Sequence, residues 1–152
     1  MRKGTAPGKL AGKQASRVPE RDRPMYTLPE IEQKITLARA ANLSGARLLE
    51  NRVRVMRVCN GIGAWWMPGE VRELIGAMFP DLVIVADIHD LRHEKGGRWW
   101  KRWIYDFEFF TNGVRMAVYR KKPEVAKQAF RLWACLILGS WTAFHYRRKG
   151  EK

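Results

Sequence analysis

The chain has 152 residues, 46% of them hydrophobic, with 29 Lys+Arg against 15 Asp+Glu, a formal net charge of +14 and a pI near 10.4. That length suits about one domain, and the apolar content excludes global disorder. The charge surplus points to an anionic partner, either nucleic acid or an anionic lipid surface, while two cysteines, Cys59 and Cys135, exclude a disulfide framework and read as reduced buried thiols.

Residues 1–24 carry seven basic and two acidic side chains among Gly, Pro and Ala, and read as a disordered basic arm. No apolar stretch follows the basic start as in a secretion signal, so synthesis in the cytoplasm is expected. No apolar run reaches the roughly 18 residues of a membrane span. Peripheral membrane or virion association stays open.

Order begins at Thr27, where Thr27-Leu28-Pro29-Glu30 matches a capping box. Ile31, Ile35 and Ala38 follow at helical spacing, to about Ala41. Ser44 is a candidate cap for a second helix holding Leu48, Leu49, Val53 and Met56. The apolar-basic alternation from Val53 to Val58 fits a short strand equally well. Cys59-Asn60-Gly61-Ile62-Gly63 reads as a loop, and Pro68-Gly69-Glu70 as the start of a helix to about Met78. Phe79-Pro80-Asp81 breaks it, with Asp81 a candidate cap for a helix from Leu82 to about Lys95. Gly96-Gly97 ends that helix, another runs from about Trp99 to Arg120, and Pro123 begins the last, to about Arg147. The fold expected is mostly α. It comprises the arm, a single helical domain over 25–148 with its site region in 59–112, and a basic tail over 149–152.

The adjacent pair His89-Asp90 draws attention first. Neighbours on a helix diverge by about 100°, so these two serve different sites. His89 lies seven residues before Gly96 and Asp106 nine after Gly97, so an antiparallel hairpin sets Asp106 beside His89. His89 is expected at the half-sheltered edge of the stripe Ile84, Val85, Ile88 and Leu91. An imidazole held by a carboxylate is a general base near neutral pH. With no serine nearby, it would activate water. Asp90, turned toward the glycine loop, is a hard oxygen ligand, as are loop carbonyls, and that set suits Ca²⁺ rather than Zn²⁺.

This constellation resembles phospholipase A2, in its small bacterial, bacteriophage and parvovirus-capsid branches. The residues that carry the resemblance are Asn60-Gly61-Ile62-Gly63, then Asp87-Ile88-His89-Asp90, then Asp106-Phe107-Glu108-Phe109-Phe110, within about 50 of the 152 residues. It implies calcium-dependent hydrolysis of glycerophospholipid sn-2 esters. His89 would be the base, oriented by Asp106, with Ca²⁺ on Asp90 and the carbonyls of Gly61 and Gly63. The chain departs from the family pattern in three places. Ala86 and Asp87 stand where a Cys is common, His93 where a Tyr is common, and Ala64-Trp65-Trp66 where the loop often has another Gly.

Other readings compete. His89-Asp90-Leu91-Arg92-His93 resembles a zinc-protease H-E-x-x-H with Asp for Glu, which misplaces the base; His93 reads as a rim residue. Gly61-Ile62-Gly63 lacks the third Gly and the Lys of a phosphate loop. Trp65, Trp66, Trp99, Trp100, Lys101, Arg102 and Trp103 form an aromatic-basic surface suited to a bilayer interface or to stacking on bases. The apolar segment Leu132–Phe144 reads as a buried or interfacial helix, and the basic tail after it as cations that favour the helix dipole or rest on an anionic membrane. The alternatives are therefore a non-enzymatic nucleic-acid-binding or virion-associated protein and an inactive lipid-binding module.

Overall fold

A computed structural model describes residues 25–63 and 67–139. The arm over 1–24, Trp65 and Trp66, and the tail beyond 139 lie outside the described residues. These residues form six α-helices: α1 (Leu28–Ala40), α2 (Arg52–Val58), α3 (Gly69–Met78), α4 (Val83–Lys95), α5 (Trp99–Arg120) and α6 (Pro123–Gly139). Short 3₁₀ turns over Ala46–Glu50 and Pro80–Leu82 precede α2 and α4, and no β-strand occurs among the described residues.

The N-terminus of α1 forms as its sequence dictates. The Thr27 N–H and hydroxyl both donate to the Glu30 carboxylate, at 2.6 and 2.7 Å, which holds that exposed carboxyl below its usual pKa. Ile31, Ile35 and Ala38 then share the buried face. The segment over 53–58 is helix, because the Asn51 side chain caps it by accepting from Arg54 N–H at 3.1 Å. Ser44 caps no helix. Its hydroxyl donates to Glu108 at 2.5 Å, and its backbone N–H and C=O pair with the amide of Asn112 at 2.8 and 2.9 Å. Asp81 likewise is not the cap of α4. It is paired with Arg120 at the far end of α5, at 2.9 Å, and with Lys122 just beyond that helix, at 3.5 Å.

The centre of the molecule is α4. Ile84, Val85, Ala86, Asp87, Ile88, His89, Leu91 and His93 are all buried, so it is enclosed on more than one side. Helix α5 returns antiparallel along it, as shown by Asp81 meeting Arg120 at one end and Arg92 clasping Glu108 at 2.8 and 2.9 Å nearer the other. Helix α6 folds back along α5. The two pack closely at Gly113, where an added methyl would overlap Ala129 Cβ and touch Leu82. Of the two thiols, Cys59 is buried as expected and Cys135 is exposed.

Gly113 therefore sets the α5–α6 spacing. Overpacking costs about 1–3 kcal/mol, against roughly 1 kcal/mol gained when Ala replaces a helical Gly. Gly113→Ala is expected to lower the urea midpoint with an unchanged slope. A midpoint at or above wild type would show that the helices tolerate a wider spacing.

Candidate functional site: a histidine–aspartate cluster beside a glycine loop

The α4–α5 hairpin brings together the two residues that the spacing paired. His89 Nε2 lies 2.8 Å from Asp106 Oδ1. Both side chains are buried, at 7% and 1% exposure, so His89 is not the half-sheltered edge residue expected. The ring of Phe109 packs edge-on against His89, with centroids 5.6 Å apart.

Two residues join this pair that the sequence reading had placed elsewhere. His93, expected at the rim, is buried one turn beyond His89. Its Nε2 reaches the same Asp106 Oδ1 at 3.1 Å, and the two imidazole centroids are 4.0 Å apart. Arg102, grouped above with the interfacial tryptophans, is turned inward. Its Nε is 3.4 Å from Asp106 Oδ2 and its Nη2 donates to the Ile137 carbonyl at 2.7 Å. The i,i+4 spacing of Arg102 and Asp106 was the available signal. Burial pushes the His93 pKa down to about 4, against the opposing pull of its bond to Asp106.

One face round α4, Asp90 meets the glycine loop. Its carboxylate accepts from the Asn60 backbone N–H. Although the residue is partly exposed, its Oδ2 is enclosed and has no hydrogen-bond partner among the described residues, and the same holds for Asn60 Oδ1 and Arg72 Nε. Burial raises the Asp90 pKa well above the usual range, and nearby Asp87 adds to this; the Asn60 N–H and the Arg72 charge oppose it. Gly61 and Gly63 take φ of 80° and 139°, which side chains rarely adopt. A Cβ at 63 would also press on the Arg72 stem at 3.0 Å. The chemistry here is two enclosed oxygens without donors and one enclosed guanidinium nitrogen without an acceptor, at a loop that needs glycine.

A third polar group had no counterpart in the sequence reading. Asp87 is fully buried, accepts from Tyr26 Oη at 2.9 Å and pairs with Lys34 Nζ at 2.6 Å. Burial raises its pKa while Lys34 and Tyr26 oppose, and burial together with Asp87 pushes the Tyr26 hydroxyl and the Cys59 thiol upward. A carboxylate on the stripe of Ile84, Ile88 and Leu91 is the signal that a distant cation must reach it.

The interfacial residues divide by helix face. Trp99, Trp100 and Trp103 are exposed, at 69%, 41% and 47%, and Ile104 and Phe107 extend the apolar surface along α5. Lys101 is partly buried, with Nζ 5.9 Å from the Trp100 ring centre. On α3, Val71, Leu74 and Met78 form a second exposed apolar row, and no residue of that helix is buried. An open groove lined by Phe110, Ala126, Lys127, Phe130 and Arg131 includes none of the His–Asp residues. No helix among the described residues is long and apolar enough to cross a membrane. No protein-family model, curated protein or solved structure matches the chain.

The lowered pKa of His93 has a consequence for stability. The folded state takes up this proton only near pH 4, the unfolded state near 6.5. His93 therefore contributes fully above about pH 6.5, and its contribution is lost as pH falls toward 4. Over that window wild type should lose about 2–3 kcal/mol more than His93→Gln, measured by urea unfolding at stepped pH. Parallel pH profiles would refute the depressed titration.

Proposed function

We propose that the chain is a calcium-dependent, phospholipase A2-like esterase that cleaves the sn-2 ester of glycerophospholipids at an anionic lipid surface. The observation that carries this reading is the buried His89–Asp106 pair at 2.8 Å, one residue along α4 from a carboxylate oxygen left without a donor at the glycine loop.

The chain's own groups divide the work as follows. A neutral His89 that donates Nε2–H to Asp106 keeps its lone pair on Nδ1, the nitrogen able to take a proton from water. Asp106 fixes that tautomer and stabilises the imidazolium that forms. His93 and Arg102 hold the Asp106 carboxylate in place from its two oxygens. Asp90 Oδ2, Asn60 Oδ1 and the carbonyls of Gly61 and Gly63 are the residues that would hold Ca²⁺. Bound there, the ion would supply Lewis-acid polarisation of the ester carbonyl and a counter-charge for phosphate. The exposed rows Trp99, Trp103 and Phe107 on α5, and Val71, Leu74 and Met78 on α3, support contact with lipid. The net charge of +14 supports attraction to an anionic one.

Fatty-acid release from anionic phospholipid vesicles, with calcium or with chelator, tests the reading. Wild type should release product only with calcium. His89→Gln should lose about 10²–10⁴-fold in rate, the usual worth of a general base. Asp90→Asn should need more calcium and bind it more weakly by calorimetry. Vesicle binding without release, from a folded protein, would favour the lipid-binding module. Salt-sensitive DNA binding indifferent to calcium, with no vesicle binding, would favour the nucleic-acid reading.

A further inference from the structure

We propose that His89, His93 and Asp106 form a second metal site, selective for a borderline divalent ion such as Zn²⁺, and that filling it switches off His89 as a base. The binding half stands on the cluster alone. The inhibitory half deepens, and rests on, the esterase reading above.

His89 and His93 stand four residues apart on α4 and so share one helix face. One ligand atom from each of His89, His93 and Asp106 lies within 4.8 Å of the others, and all three residues are buried. Both imidazoles place Nε2 against a single carboxylate oxygen, at 2.8 and 3.1 Å, so the three ligand atoms are already grouped closely enough to share one ion. Two imidazole nitrogens and a carboxylate oxygen suit Zn²⁺ or Co²⁺ and are a poor set for Ca²⁺, which prefers the all-oxygen group one face away. Arg102, 3.4 Å from Oδ2, weighs against the ion and leaves Oδ1 as the oxygen ligand.

The switch follows from proton placement. A neutral imidazole carries one proton. Hydrogen-bonded to Asp106, His89 keeps it on Nε2 and presents a lone pair at Nδ1. An ion on Nε2 requires that lone pair, so the ring's proton moves to Nδ1. Hydrolysis needs an acceptor there, and metal binding makes it a donor. His93 undergoes the same shift, the carboxylate stays ionised, and no net proton is released.

The test is cobalt titration of the full chain, without calcium or lipid, followed by the visible d–d absorption and by displacement with Zn²⁺. One equivalent with intense, low-coordinate bands is expected. The bands should be lost in His93→Tyr, whose phenol can still donate to Asp106 but supplies no imidazole, and in His89→Gln. Imidazole NMR of the wild type provides a readout that no variant has to fold for. Zn²⁺ should move the His93 resonances and those of His89, the ring in contact with Phe109. In the vesicle assay with excess calcium, one equivalent of Zn²⁺ should lower the wild-type rate at least tenfold, reversibly with a zinc-selective chelator. It should leave the rate of His93→Tyr, whatever its level, as it is without zinc. Absent bands from a helical protein, equal bands in wild type and both variants, or shifts confined to His145, the third of the chain's three histidines, would overturn the site. Binding without inhibition would overturn the switch. Absence of hydrolysis under every condition would defeat the esterase reading and leave the cobalt result to decide the site.

Discussion

The Asp106 carboxylate governs the rest of this structure. It is 1% exposed in a helical core, and a buried carboxylate without partners costs several kcal/mol. Its partners are two imidazoles from α4 and a guanidinium one turn back on α5, reached in one register of the hairpin. A slip of α4 by one residue would rotate both histidines away by about 100° and bring Ile88 and Arg92, or the like-charged Asp90 and Glu94, into their place. The interaction that builds the candidate site is therefore also the one that sets the central helix pair. Arg92–Glu108 and Asn112–Ser44 repeat that register in the turns that follow on α5 and tie the segment after α1 to it.

The parts of this arrangement legible in the sequence are those set by local chemistry or by counting. The capping box at Thr27 needs only residues three apart. The His89–Asp106 meeting needs only two helices of similar rise about a glycine turn. Arg102 was misplaced because reading it with its neighbours in a tryptophan-rich run ignores helix rotation. Trp99, Trp103 and Phe107 share the outer face, whereas Arg102 and Asp106 share the inner one. Asp81 was misread for a different reason. Arg120 and Lys122 arrive from some forty residues away, and an ion pair there competes with the capping role that short-range sequence suggests. The Asp87–Tyr26–Lys34 group was invisible for the same reason, since nothing local says that α1 packs against that face of α4.

Helix α4 distributes its polar residues so that each face is answered by a different part of the chain. Asp87 is met by Lys34 of α1 and by Tyr26 just before it, Asp90 by the loop at Asn60, and His89 with His93 by α5. Buried or partly buried polar groups on three faces of a thirteen-residue helix would ordinarily count against its stability. Here they make α4 specific, because its packing is satisfied only when all three neighbours are in place.

The three faces are also electrically connected. Asp87 and Asp90 lie three residues apart on α4, and the charge of Asp87 raises the proton affinity of Asp90. Lys34 offsets Asp87, and Arg72 offsets Asp90. A divalent cation beside Asp90 would act in the same sense as Arg72, with twice the charge and at the oxygens that have no donor. The buried carboxylate pair is thus least stable in the absence of positive charge at the loop. Lys34 and Arg72 are therefore the charges on which the ionised pair depends.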